Sequence, residues 1–157
     1  MPSDLHEISR RLESLGAKRP SPSERLEVLN ALASKWEGIR VSAARVLLRW
    51  GDSDSIAHVR SLLEEFAAKS GCYASAGAVA QALRPHLQAN DLEWVIGLCF
   101  EQSNRHNCFM LTHLLEAFPT RPTLQVLERH KATGVSNVQE LDAAIKRLTF
   151  LARASRA

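Results

Sequence analysis

The sequence predicts an all-α fold, an α-solenoid of about four antiparallel helix hairpins preceded by one N-terminal helix. Three observations predict it. Apolar residues recur at helical spacing in about nine segments, and nowhere do they alternate as a half-buried strand requires. Leu47, Leu83, Leu115 and Leu148 recur near the ends of alternate segments, 36, 32 and 33 residues apart, a period typical of stacked helical hairpins. Finally, residues 39–52 read as one complete second helix with its stop signal. Ile39, Ala43, Val46, Leu47 and Trp50 make one stripe and Ser42, Arg45 and Arg49 fall on another face; Gly51 suits a left-handed C-cap and Asp52 begins a turn.

Each element has its own signals. A first helix over 4–15 carries Leu5, Ile8, Leu12 and Leu15 and stops at Gly16, and the loop Lys18-Arg19-Pro20-Ser21-Pro22 breaks it. Ser21 or Ser23 caps a second helix to about Ser34, displaying Leu26, Leu29 and Leu32. Beyond Gly51, the run Asp52 to Ser55 offers N-caps for a helix over 56–69 whose stripe is Ile56, Val59, Leu62, Leu63 and Phe66. An Ala-rich helix over 73–83 permits close approach of a neighbour and is closed by Arg84-Pro85. Asn90-Asp91 caps a helix to Phe100, Asn104 or Arg105 starts one that Pro119 stops, and Pro122 suits the first turn of the next, ending near His130. The last helix runs from Asn137 to about Leu151. Pairing gives hairpins at 23–50, 55–83, 91–118 and 122–151 within a single domain of 157 residues. The alternative is an irregular bundle whose leucine spacing is coincidence.

The order Ile39-Arg40, Ala43-Ala44, Leu47, Gly51-Asp52 resembles the HEAT-repeat family, whose second helix commonly runs V-R-x-x-A-A-x-x-L-G-x-x-G-D. The later repeats depart from it: Ala76, Cys108 and Leu141 stand where the motif has Arg40. No W-x-x-L-G-x-x-Y pattern at 34-residue spacing favours tetratricopeptide repeats, which with other helical-hairpin folds stay open.

Hydrophobic residues make up 45% of the chain and charged residues 24%, the balance of a folded domain. No apolar run reaches the roughly 18 residues that span a bilayer, and the charged start Asp4-Leu5-His6-Glu7 lacks the features of a signal peptide. A cytoplasmic location is therefore expected, with no membrane partner. Cys72, Cys99 and Cys108 are odd in number and lack C-x-x-C spacing, which reads as free thiols. A net charge of +3 is too small by itself to argue for phosphate binding.

Motifs of catalysis are missing: no P-loop, no dinucleotide G-x-G-x-x-G, no H-E-x-x-H and no G-x-S-x-G. His106, Cys108, His113 and Cys99 are the densest set of metal-ligand types. On one helix His106 and His113 stand about 10.5 Å apart along the axis, so no metal or other cofactor is expected and the cysteines are assigned to the core. Glu64-Glu65 and Asp91/Glu93 read as solvated or capping acids, and Trp36 and Trp94 as packing anchors.

Projecting the register of the second helices aligns Arg45, Gln81, His113 and Lys146. Second helices line the concave surface in HEAT-like arrays, so the resemblance implies that these four residues form a polar, partly basic ladder, joined by Arg49 and by the adaptable apolar contacts of Met110 and Phe150. The first expectation is a non-enzymatic scaffold that binds a protein or peptide there. A second is nucleic-acid binding, as in HEAT-like DNA glycosylases. A third, carried by the resemblance alone, is a HEAT-like phycobilin lyase. The apolar C-terminal helix, with Leu141, Ile145, Leu148, Phe150 and Leu151, adds an expectation of self-association through that end.

Overall fold

The computed structural model describes residues 3–155, and among them every regular element is helical. The helices are α1 (Ser3–Leu15), α2 (Pro22–Leu32), α3 (Glu37–Trp50), α4 (Ser53–Ala68), α5 (Tyr73–Leu83), α6 (Leu92–Gly97), α7 (Arg105–Leu111), α8 (Thr120–Thr133) and α9 (Val138–Ala154). A π-turn over Leu98–Gln102 prolongs α6, and a 3-10 stretch over Thr112–Ala117 prolongs α7. No helix among the described residues is long and apolar enough to cross a membrane. The chain forms two compact units, one ending at Leu63 and the other beginning at Glu64, within α4.

In the first unit, both α1 and α2 pack on α3. Two neighbours explain why α3 buries Ile39, Ala43, Val46 and Leu47 and also Ser42, whose hydroxyl meets that of Ser9 at 2.8 Å. Ser42 therefore does not share an exposed face with Arg45 and Arg49, because α1 covers it. The stop signals act as read: Gly51 takes φ 70° and returns its N–H to the Leu47 carbonyl. Of the candidate caps, Ser21 forms a capping box with Glu24 at the start of α2. Asp52 caps α4 by accepting from the Ser55 N–H and hydroxyl at 2.9 and 2.7 Å.

Three apolar expectations need correction here, the first being Ile8 of α1, which is 43% exposed. Leu26 is 59% exposed, and Val28 is the residue of α2 that is fully buried, on the opposite side of the helix. Trp36 is 44% exposed at the start of α3 with the Lys35 ammonium 5.4 Å from its ring, so it is not a buried anchor.

In the second unit α5 packs on α7, the α6 segment packs on α7 and α8, and α8 pairs with α9. Leu83, Leu115 and Leu148, three of the four periodic leucines, lie in its core. Two asparagines tie its helix ends together. Asn104 N–H donates to the Ala67 carbonyl at 2.8 Å, and Asn137 N–H to the Phe100 carbonyl at 3.1 Å, so donors and acceptors both recur after 33 residues. Alongside, buried Asn107 directs its amide at the carbonyls of Phe66 and Ala67 in the last turn of α4 and of Lys69 just beyond it. Asn137 does the same for Cys99 and Ser103 at the π-turn. A π-turn shifts the helical hydrogen-bond pattern, and Asn137 together with the Ser103 hydroxyl takes up the Cys99 carbonyl.

Cys72, Cys99 and Cys108 are free and buried. Burial pushes the Cys108 thiol up to about 12 and the Cys99 thiol well above its ordinary value. Trp94 is half-buried and donates its indole N–H to Glu64 at 2.7 Å, so Glu64 is a hydrogen-bond acceptor rather than a purely solvated acid. On α9, Leu141 and Leu148 are buried, leaving Phe150 (71%) and Leu151 exposed as that helix's apolar surface toward its end.

Candidate functional site

Gly77, Ala80, Gln81 and Arg84 recur every three or four residues along α5, which puts them on one side of that helix. Met110, His113 and Leu114 share a side of the α7 segment for the same reason. These two rows face each other around an open pocket of about 260 Å³. Gly77, Ala80, Leu114 and the Met110 thioether supply its apolar surface, and Gln81, Arg84 and His113 supply its polar groups.

At Gly77 the missing side chain leaves room for the end of Met110. A β-carbon there would stand 2.5 Å from the Met110 methyl, so Met110 lies directly over the glycine. Beyond Leu111 the chain tightens to three residues per turn, which stacks His113 above Glu116. Their Nδ1–Oε1 distance is 3.4 Å. Glu116 also lies 3.5 Å from Arg84 of α5 and 3.7 Å from Arg147 of α9. Arg147 donates to the Thr112 carbonyl at 3.1 Å, while its buried Nε has no partner among the described residues. Phe109, 60% exposed, packs edge-on against the His113 ring at 5.8 Å. The face is therefore a preformed apolar seat beside one carboxylate shared by two guanidiniums and an imidazole.

Gln81 and His113, aligned by the repeat register, and Met110, expected as an apolar contact beside them, line this single pocket. Lys146 is exposed on α9 and is not among the lining residues; its neighbour Arg147 is the one that reaches Glu116. Arg45 and Arg49 belong to the other unit. Both are exposed on α3, and Arg49 donates to the Glu13 carbonyl at 3.2 Å. Phe150 is exposed near the end of α9.

The sequence reading missed Arg84, Glu116 and Arg147. Arg84 lies three residues after Gln81, a helical neighbour spacing, but it read as the end of a helix before Pro85. Glu116 was hidden because an α-helical period does not predict the 3-10 stacking beneath His113.

Among the described residues no group of three or more His, Cys, Asp or Glu could hold a metal ion. His106 is exposed in the first turn of α7, where its N–H is capped by the Asn104 side chain at 3.0 Å. Compared with protein-family models, with curated proteins and with solved structures, the chain matches none.

Proposed function

We propose that this chain is a non-enzymatic binding module, a HEAT-like stack of hairpins that recognises a protein partner on its second helices. One observation carries the reading: the pocket between α5 and α7 joins Gln81 and His113, which come from equivalent positions of successive repeats, with Met110 one turn before His113. The paired Asn104–Ala67 and Asn137–Phe100 bonds support the stacking, since the same junction recurs after 33 residues.

The chemistry of the pocket suits one apolar side chain of an extended or helical peptide. Met110 adapts to the shape of what enters, exposed Phe109 extends the apolar contact, and Gln81 and His113 offer hydrogen bonds beside it. Glu116 offsets one of the two positive charges of Arg84 and Arg147, so recognition rests mainly on the apolar seat. A cytoplasmic setting fits three free thiols.

The test is selection of a displayed random-peptide library on the wild-type chain, with counter-selection on a Met110→Asp variant checked for folding by circular dichroism. Selected peptides should share one large apolar residue and should shift the Met110 methyl resonance. Peptides that share nothing, or that bind the variant equally, would remove the pocket from consideration. Titration with duplex and single-stranded DNA across a salt series runs alongside, and tight, steeply salt-dependent binding there would favour the nucleic-acid alternative instead.

A further inference from the structure

The first unit holds a cleft of its own, about 710 Å³ and open to solvent, between the loop that follows α1 and the end of α3. Lys18, Arg19, Arg25 and Arg49 line it with a single carboxylate, Asp52, so the lining is strongly cationic in a chain whose net charge is only +3. Two of the four cations are already engaged. Arg25 makes a forked pair with Asp52 at 3.0 and 2.9 Å and also reaches Asp54 at 2.8 Å; Lys18 lies 2.9 Å from Glu24. Neither Arg19 nor Arg49 has a carboxylate partner among the described residues.

Arg49 is held in place without being neutralised. Its side chain lies over Gly16, where a β-carbon would come within 2.8 Å of Cδ, and Nη1 donates to the Glu13 carbonyl. The next residue, Trp50, donates its indole N–H to the Leu15 carbonyl at 3.1 Å, and its ring is flanked by the Arg25 guanidinium at 5.9 Å. Consecutive side chains of α3 thus fasten the last turn of α1, and Arg49 keeps N–H donors to spare.

We propose that this cleft is a binding site for a small phosphorylated molecule, with Arg19 and Arg49 as the groups that grip the phosphate. Guanidinium forks match phosphate oxygens, and a pre-positioned arginine loses little rotamer freedom on binding. The volume is that of a small-ligand site. The acidic groups around the cations set the size of the ligand: Asp52, Asp54 and Glu24 would lie against any long polyanion laid across the cleft, whereas a compact phosphate needs only part of the lining.

The test is titration of the full-length ¹⁵N-labelled chain with inorganic phosphate, pyrophosphate, a nucleoside triphosphate and a short DNA duplex at low salt. The expected result is saturable shifts confined to residues 16–25 and 49–52 with the phosphates and weaker binding of the duplex. Arg19→Gln should weaken phosphate binding about tenfold, as loss of one charge-assisted pair does, whereas Arg10→Gln, the same charge change on the exposed part of α1, should leave it unaltered. Gly16→Ala separates positioning from charge: it displaces Arg49 at constant net charge and should weaken binding several-fold in a chain that still folds. Shifts spread evenly over all cationic residues, equal losses in the Arg10 and Arg19 variants, or tighter binding of the duplex than of the small phosphates would each overturn the proposal.

Discussion

Asn107→Ala should be among the most damaging single polar substitutions in the second unit. The residue is 1% exposed, and its amide nitrogen lies 3.0, 2.8 and 2.9 Å from the Phe66, Ala67 and Lys69 carbonyls. An NH₂ group has two hydrogens, so three acceptors share two bonds and one contact is bifurcated. Alanine removes both donors. Ala67 keeps the Asn104 N–H as a partner, whereas the Lys69 carbonyl loses the Asn107 amide. Each neutral bond is worth about 1 kcal/mol net, and a buried acceptor left without a partner costs about 1–3 kcal/mol. Against this, the variant also removes the Asn107 Oδ1, itself buried without a partner, which returns part of the loss. The expected destabilisation is about 2–4 kcal/mol, or a fall in melting temperature of about 4–16 °C at this chain length. Urea unfolding followed by far-UV circular dichroism, with the m-value compared to the wild type, measures it. A loss under about 0.5 kcal/mol would refute the argument that this amide is the chief closure of α4.

Further outcomes follow from the same structure. Gly77→Ala brings a β-carbon against the flexible end of Met110, so stability should change by under about 1 kcal/mol while the Met110 methyl resonance moves and peptide binding at the pocket weakens. Native chain should resist a disulfide-exchange reagent at pH 8, and all three thiols should react once it is unfolded, because burial raises Cys99 and Cys108 far above that pH; rapid native reaction would contradict the packing. Acid should weaken the first unit. The Ser21 backbone N–H and Lys18 lower Glu24 to about 2, and Arg25 with the Ser55 N–H holds Asp52 well below the usual carboxylate range. Both shifts are downward on folding, so their contribution is present above about pH 4.5 and is lost as pH falls toward 2; the urea midpoint should fall across that window, less so in Glu24→Gln. Phe150→Ser should leave the melting temperature unchanged, since the ring is exposed, and should lower the mass seen by light scattering if the end of α9 joins two copies; a monomer in both proteins would dismiss that contact.

Much of the helical layout was legible because it rests on local chemistry. Gly51 and Asp52 mark the junction of α3 and α4 through a left-handed φ and a side-chain cap, both properties of single residues. The α5 boundaries, Tyr73 and Leu83, follow from the turn before it and the Arg84-Pro85 pair after it. Which side of a helix is buried was less legible. In α2 the choice between Leu26 and Val28 depends on where α3 lies, which periodicity over a short helix with few apolar residues does not fix. Ser42 is buried because a second helix covers α3, a tertiary fact with no local signal. The pocket was half legible: register aligned Gln81 with His113 and set Met110 beside them, but Glu116 needed the 3-10 tightening, and Arg147 rather than Lys146 turned inward beside it.

Salt offers a sharp separation between the two proposed sites. At the pocket, Glu116 stands between Arg84 and Arg147 and offsets one of their two positive charges, and recognition falls mainly to the Met110 seat and the hydrogen bonds of Gln81 and His113. Peptide affinity there should change little between low and physiological ionic strength, since apolar burial is insensitive to screening over that range. In the cleft of the first unit the gripping groups are two unpaired guanidiniums open to solvent, so phosphate affinity should fall steeply as the Debye length shrinks from about 30 Å at 0.01 M to about 8 Å at 0.15 M. Two titrations on one sample, a selected peptide and pyrophosphate, measure both dependences. A peptide affinity that declines in parallel with that of pyrophosphate would show that the positive charge left on Arg84 and Arg147 governs binding, and the apolar account of the pocket would have to be given up.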